Sequence, residues 1–171
     1  MTQIEGGIGL FEFAGTPGAG TSEVQTITFG GTPDGGTFKL SFDGQTTSAI
    51  SWSATNNTLR DNVDAALEAL TNIGTGGVTT AVGMMTAGIG TLTVTFAGNL
   101  TKQAVNTIAV ANNSLTGTAP TLAVAETTPG VDADFRGAKK GALVTDTTNG
   151  VLYINTGTAL APTWTKVGTQ S

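Results

Sequence analysis

Residues 23–44 read EVQTITFGGTPDGGTFKLSFDG, two apolar-polar alternations on either side of a glycine-rich centre. In the first, Val24, Thr26 and Thr28 alternate with Gln25, Ile27 and Phe29; in the second, Phe38, Leu40 and Phe42 alternate with Lys39, Ser41 and Asp43. A period of two is that of a strand, whose successive side chains point to opposite faces. With GGTPDGG between the runs, the stretch predicts a β-hairpin closed by a long glycine turn. Asp43-Gly44 is a tight-turn signal, and QTTSAISWS (45–53) predicts a third strand ending near Trp52.

The period then changes. Leu59, Val63, Ala66, Leu67, Leu70 and Ile73 fall on one face of a helix over about 57–73, with Arg60, Asp61, Asp64 and Glu68 elsewhere. Thr58-x-x-Asp61 fits a capping signal and Gly74 a stop. Strand patterns resume in VTTAVG (78–83) and TLTVTFAG (91–98), where Leu92, Val94 and Phe96 alternate with threonines. Asn106–Ala111 and Thr121–Ala125 are weaker strand candidates, with NNSLTGTAP (112–120) reading as the loop between them. The main domain, 23–130, is therefore α+β and mostly β: an antiparallel sheet or sandwich-like roll covered by one amphipathic helix.

Two segments flank this domain. Residues 1–22, MTQIEGGIGLFEFAGTPGAGTS, hold six glycines around an apolar knot of Ile8, Leu10, Phe11 and Phe13. Glycine at that density is entropically costly to order. Two readings stand: a disordered terminus, or an extended arm that inserts those side chains into a neighbouring protein. After the break at Pro129-Gly130, residues 131–171 form a linker and a small β module, with short strands around Leu143, Leu152–Ile154 and Trp164–Val167. So few residues bury little alone, and the module is expected to pack on the main domain or on another chain.

Composition narrows the function. Charged residues are 11% of the 171, less than half the roughly 25% of ordinary soluble domains. The absence of Cys and His excludes disulfides, thiolate zinc sites, Ser-His-Asp or Cys-His catalysis and imidazole bases. Leu, Ile, Val and Phe number 39, enough for a thin core. Residues 1–134 carry 3 basic and 11 acidic groups, and residues 135–171 carry 4 basic and 1 acidic. Arg136, Lys139 and Lys140 without interleaved aromatics read as a solvated loop, and the acidic body argues against a nucleic-acid partner. No apolar run approaches the roughly 18 residues of a membrane span, and no secretory leader pattern opens the sequence, so assembly without a membrane is expected.

Asp61 and Asp64 share a solvated helix surface, and Asp132 and Asp134 form D-x-D without the glycine and distal Glu of a calcium loop. The glycine clusters lack the Gly-Lys-Ser/Thr ending of a phosphate loop and read as turns. Trp52, Tyr153 and Trp164 read either as core plugs or as a platform for sugar rings. No enzyme, cofactor or metal is expected.

The segment from Glu23 to Thr80 resembles a module of the virion structural proteins of tailed bacteriophages. The matching features are EVQTITF, GGTF-x-L-x-F, GQTT-x-AI, ALEAL-x-NIG and a following TVTF-x-G-x-L. The C-terminal GALVTDTTNGVLYINTGTALAPTWTKVG is similar to a small ending of such proteins, G-x-L-x-x-D-T-x-x-G-x-L-Y-x-N-T-G, then P-x-W. The likeness covers about residues 23–168 and implies no catalytic residue. It implies a virion structural protein of the decoration, head-fibre or tail kind, and a short chain without a long helical or repetitive shaft, together with the glycine-rich N-terminal arm, favours the capsid over the tail. The expectation is a capsid decoration (cement) protein, made in the host cytoplasm and bound as a homotrimer to the outer surface of the head. Its partner would be the major capsid protein, with Ile8, Leu10, Phe11 and Phe13 as anchor and neither nucleic acid nor membrane involved. The alternative is a tail or head-fibre adhesin, holding a host glycan at Tyr153, Trp164 or the stretch around Asn112 and Asn113. A hydrolase acting on cell-wall glycan is disfavoured by the missing His and the unpaired carboxylates.

Overall fold

The computed structural model describes residues 10–168. In chain order the elements are strand β1 (Leu10–Phe13), strand β2 (Val24–Phe42), two short strands β3 (Gln45–Thr46) and β4 (Ile50–Ser51), and helix α1 (Asn56–Glu68). Strands β5 (Val78–Thr86) and β6 (Ile89–Phe96), a 3-10 turn (Gly98–Leu100) and strand β7 (Ala109–Thr128) follow; β8 (Leu143–Asp146), β9 (Val151–Asn155) and β10 (Trp164–Lys166) complete the set. The chain divides into two compact units, a large one of residues 22–130 and a small one built from both ends, 1–21 with 131–171.

In the large unit the strands run β3-β2-β6-β5, with β4 and β7 also paired to β2, and all the pairings are antiparallel. The inward face of β2 carries Ile27, Phe29, Phe38, Leu40 and Phe42, all buried. Leu92, Val94 and Phe96 of β6 and Leu59, Val63 and Leu67 of α1 close the same core, with Leu70 and Ile73 from the turns after the helix. This is the mostly β architecture with one covering helix that the periodicities predict.

The long glycine turn is not a turn. GGTPDGG lies inside the single 19-residue strand β2, and the expected loop 112–120 lies inside the 20-residue strand β7. The two segments pair with each other, Thr32 with Thr118 and Gly36 with Leu115, through register shifts at Gly30/Thr32 and Pro33/Gly35. Pro33 is buried and Leu115 packs partly against the core, but single apolar residues among glycines, threonines and asparagines make no alternation, so both halves read as loops. Glycine is required for close approach: a Cβ on Gly36 (φ +89°) would lie 2.3 Å from the Ser114 carbonyl oxygen, and one on Gly117 (φ +121°) 2.2 Å from that of Thr32. The irregularity bends the ribbon sharply and returns the second half of β2 to the core of the first.

Two smaller differences concern α1 and its approach. The expected third strand is split into β3 and β4 around buried Thr47, whose hydroxyl accepts from Leu40 N at 3.1 Å. The helix starts one turn earlier than its cap signal: Thr55 occupies the N-cap position, without a side-chain hydrogen bond, and Thr58 lies inside the helix. Regular helix ends at Glu68, and turns continue the apolar face to Gly74 (φ +73°), whose N–H donates to Leu70 O at 2.7 Å.

Polar groups are also buried at the start of β2. Glu23 and Gln25 are 1% and 0% exposed. The Gln25 amide donates to Glu23 Oε1 (2.5 Å) and Asn106 O (3.0 Å) and accepts from Ile108 N (2.8 Å), while Glu23 Oε2 accepts from Val105 N (3.0 Å). These bonds clip the irregular chain before β7 to the sheet, satisfying backbone groups that have no ladder partner there.

In the small unit the order is β1-β8-β9-β10, with β1 parallel to β8 and the other pairings antiparallel. Leu10–Phe13, which the sequence assigns to an N-terminal arm, is thus an edge strand of the chain's own C-terminal sheet. The bridge between Thr21 and Val131 brings the two end segments together where they leave the unit. Among the described residues no helix is long and apolar enough to cross a membrane, which says nothing about spans made of strands.

Candidate functional site

The small unit gathers four aromatic rings around Phe135. Phe11 and Phe13 stand on the same side of β1, separated by exposed Glu12, because alternate residues of a strand share a face. Their ring centroids are each 5.3 Å from that of Phe135, and the Trp164 ring of β10 is 5.7 Å from it on an edge-on approach. All four side chains are half-buried. Trp164 Nε1 donates to Asp134 O at 3.3 Å, which fixes the indole.

Phe135 itself has φ +56°. A bulky residue in the left-handed region is an outlier, held there only when its surroundings impose it. The cost is offset by contact with three rings, edge-on pairs contributing about 0.5–1.5 kcal/mol each beyond area burial. Beside it, Arg136 Nη1 donates to Leu160 O (2.7 Å) and Gly137 N donates to Ala159 O (2.6 Å); Leu160 is 40% exposed. The four half-buried rings form an apolar cluster that joins β1, the segment before β8 and β10, in a unit whose buried hydrophobic residues are otherwise small, Ala133, Ala138 and Val144.

Two buried polar residues hold the scaffold. Asp146, at the end of β8, accepts from Gly15 N (3.0 Å), Thr148 N (2.9 Å) and Asn149 N (3.1 Å) through Oδ1 and from Asn149 Nδ2 (2.7 Å) through Oδ2. The Asn149 side chain first, then the backbone N–H groups, lower its pKa from the ordinary aspartate value, against the opposing effect of desolvation. The carboxylate therefore ties the chain just after β1 to the β8–β9 turn. Asn155 accepts from Gly157 N and Thr163 N, both at 2.9 Å, and donates to Ala138 O at 2.7 Å, joining three loops.

The residues singled out in the sequence distribute as follows. Phe11, Phe13 and Trp164 meet at the cluster; Ile8 lies outside the described residues, as does the side chain of Leu10. Tyr153 lies on β9 with its hydroxyl 3.3 Å from Thr16 Oγ1. Trp52 belongs to the large unit, where Nε1 donates to Gly88 O at 3.2 Å. Asn112 and Asn113 are exposed on β7. Asp61 pairs with Arg60 at 2.5 Å, whereas Asp64 accepts from Thr80 N and Oγ1 on β5, so the two carboxylates serve separate structural contacts. Asp134 accepts from Gly18 N at 2.7 Å, and among the described residues no group of three or more Asp, Glu, His or Cys is placed to hold a metal. Phe135 was missed in the sequence because it sits in a Gly- and charge-rich linker. A lone large aromatic in such a segment, with nothing local to pack on, is the signal by which it could have been found.

No family model and no curated protein matches the chain. Among solved structures it is similar to a protein of Mycobacterium phage Patience, with a TM-score of 0.40 and 12% identity over 88% of this chain. The chain spans 57% of the length of that protein.

Proposed function

We propose that this chain is a structural protein of a phage virion that decorates and stabilises the outer surface of the assembled capsid, and that its small unit carries the docking surface. The observation that carries the reading is the Phe11, Phe13, Phe135 and Trp164 cluster, partly accessible and built around a strained Phe135. Joined to the resemblance in residues 23–168, it supports adhesion to a protein surface. Burying such rings is the usual source of affinity at protein interfaces, where aromatic residues are enriched in the desolvated centre. A protein that binds only the intact shell stabilises it by mass action. The major capsid protein is the partner in this reading. Glycan binding at Tyr153 and Trp164 is the competing reading, though Trp164 is already engaged with Phe135 and Asp134.

The test is quantitative mass spectrometry of purified virions containing the chain, followed by co-sedimentation of the recombinant protein with emptied heads. A copy number approaching that of the major capsid protein, and binding to heads that Phe13→Ser weakens at least tenfold, are expected. A few copies travelling with tails, or head binding indifferent to Phe13→Ser, would overturn the reading.

A further inference from the structure

We propose that Asn149 is a deamidation site, and that its conversion to aspartate or isoaspartate releases the latch between β1 and the β8–β9 turn. Asn149-Gly150 is the one Asn-Gly pair in the sequence. It lies in the turn 147–150, between the paired residues Asp146 and Val151, and both of its residues are exposed. Glycine shields its own nitrogen least, because it has no Cβ. Gly150 has φ +65°, a Cβ there would meet nothing within 4 Å, and its N–H has no hydrogen-bond acceptor among the described residues. The nucleophile of the reaction is therefore open to solvent and uncommitted. Asn113-Ser114, another pair with a small successor, instead lies inside β7, where Asn113 Oδ1 accepts from Leu115 N at 3.2 Å.

The chemistry needs only water. The Gly150 nitrogen gives its proton to solvent base and attacks Asn149 Cγ; a C–N bond forms, the Cγ–Nδ2 bond breaks, and the side-chain amide leaves as ammonia. Water then opens the succinimide at one of its two carbonyls. One opening leaves aspartate, the other isoaspartate, whose main chain runs through an extra methylene. Nothing is oxidised or reduced.

The consequence follows from what the Asn149 amide holds. Asp146 has no exposed surface, and no cation pairs with it among the described residues. Asn149 Nδ2 donates to its Oδ2 at 2.7 Å, while Oδ1 accepts from Thr148 N, Asn149 N and Gly15 N. Deamidation exchanges the Nδ2 donor for a second carboxylate. Two carboxylates sharing a site repel, and Asp146 Oδ2 also loses its hydrogen bond. If Asp146 moves to escape, Gly15 loses its tie. Thr147 N and Oγ1, which donate to Phe13 O at 2.8 and 3.2 Å, belong to the same turn. The outcome is a slow, one-way loosening of the strand that carries Phe11 and Phe13. The inference rests on this turn and not on the capsid reading.

The experiment incubates the full chain in mildly alkaline buffer and follows each asparagine by peptide mass spectrometry, with fragmentation that separates aspartate from isoaspartate. Conversion at Asn149 is expected to outpace that at Asn113 and to slow at least tenfold in Gly150→Ala. The converted chain, separated from the parent by charge, and Asn149→Asp should each exchange the Gly15 amide hydrogen at least tenfold faster than the parent. Adding Asp146→Asn to Asn149→Asp again sets one amide donor against one carboxylate, and should restore most of that protection. Variants are first shown by circular dichroism to be folded; the converted parent gives the same readout without any substitution. An Asn149 that keeps its amide, a rate indifferent to Gly150→Ala, unchanged Gly15 exchange after conversion, or a double variant no better protected than Asn149→Asp would each overturn the proposal.

Discussion

Phe29 and Phe38 lie nine positions apart on the same strand, yet their rings meet edge-on with centroids 5.3 Å apart. A straight strand would separate them by about 30 Å. The β2–β7 ribbon must therefore fold back on itself between them, and the glycines of GGTPDGG supply the bend. Everything that shapes the large unit's core depends on that return.

Replacing Gly36 tests the return directly. Gly36→Ala brings a Cβ to 2.3 Å from a backbone oxygen, whereas Gly44→Ala, also at positive φ (+78°), meets nothing within 4 Å. The first is expected to cost at least about 3 kcal/mol and the second about 1 kcal/mol. Urea unfolding midpoints of the two variants check this, and equal losses would mean that the close ribbon approach is not required.

The helix gives a contrast between core and cap. Leu67→Ala empties a fully buried position and should cost about 2–5 kcal/mol. Thr55→Ala removes a cap residue whose side chain makes no hydrogen bond, and Thr58→Ala changes a residue inside the helix. Both threonine variants should stay within about 0.5 kcal/mol of the parent, well short of the ~1 kcal/mol of a working cap. Thermal denaturation of the three distinguishes these outcomes.

Gln25→Leu keeps the bulk at a site with no exposure but strips Glu23, Asn106 and Ile108 of their partner. A loss of about 2–4 kcal/mol is expected, from buried groups left unpaired. Hydrogen exchange at the Ile108 amide should accelerate relative to amides of β6, which reports the unclipping of the segment before β7.

Acid should loosen the small unit through Asp146. Its folded-state pKa lies below the unfolded value, so the carboxylate's contribution is complete above the ordinary aspartate range and disappears as pH falls through the depressed folded value. The fluorescence of Trp164, monitored with Trp52 replaced by Phe, should report this acid transition. Asp146→Ala should remove the dependence on this carboxylate and lower small-unit stability already at neutral pH.

The alternation in Ile27, Phe29, Phe38, Leu40 and Phe42 and the spacing of Leu59, Val63 and Leu67 were enough to determine strands, helix and buried faces. Local periodicity records which side of an element meets the core, and here each had a core to meet. What the ends do was decided only in three dimensions: β1 pairs with a strand more than a hundred residues later, and Phe135 gains its meaning from Phe11, Phe13 and Trp164. The ribbon was equally illegible. Gly30–Gly36 and Asn112–Pro120 look like turns separately because neither carries an apolar alternation, and they become strands only by pairing with each other. Backbone hydrogen bonds between distant segments leave no trace in the polarity pattern of either one, so tertiary structure alone placed them.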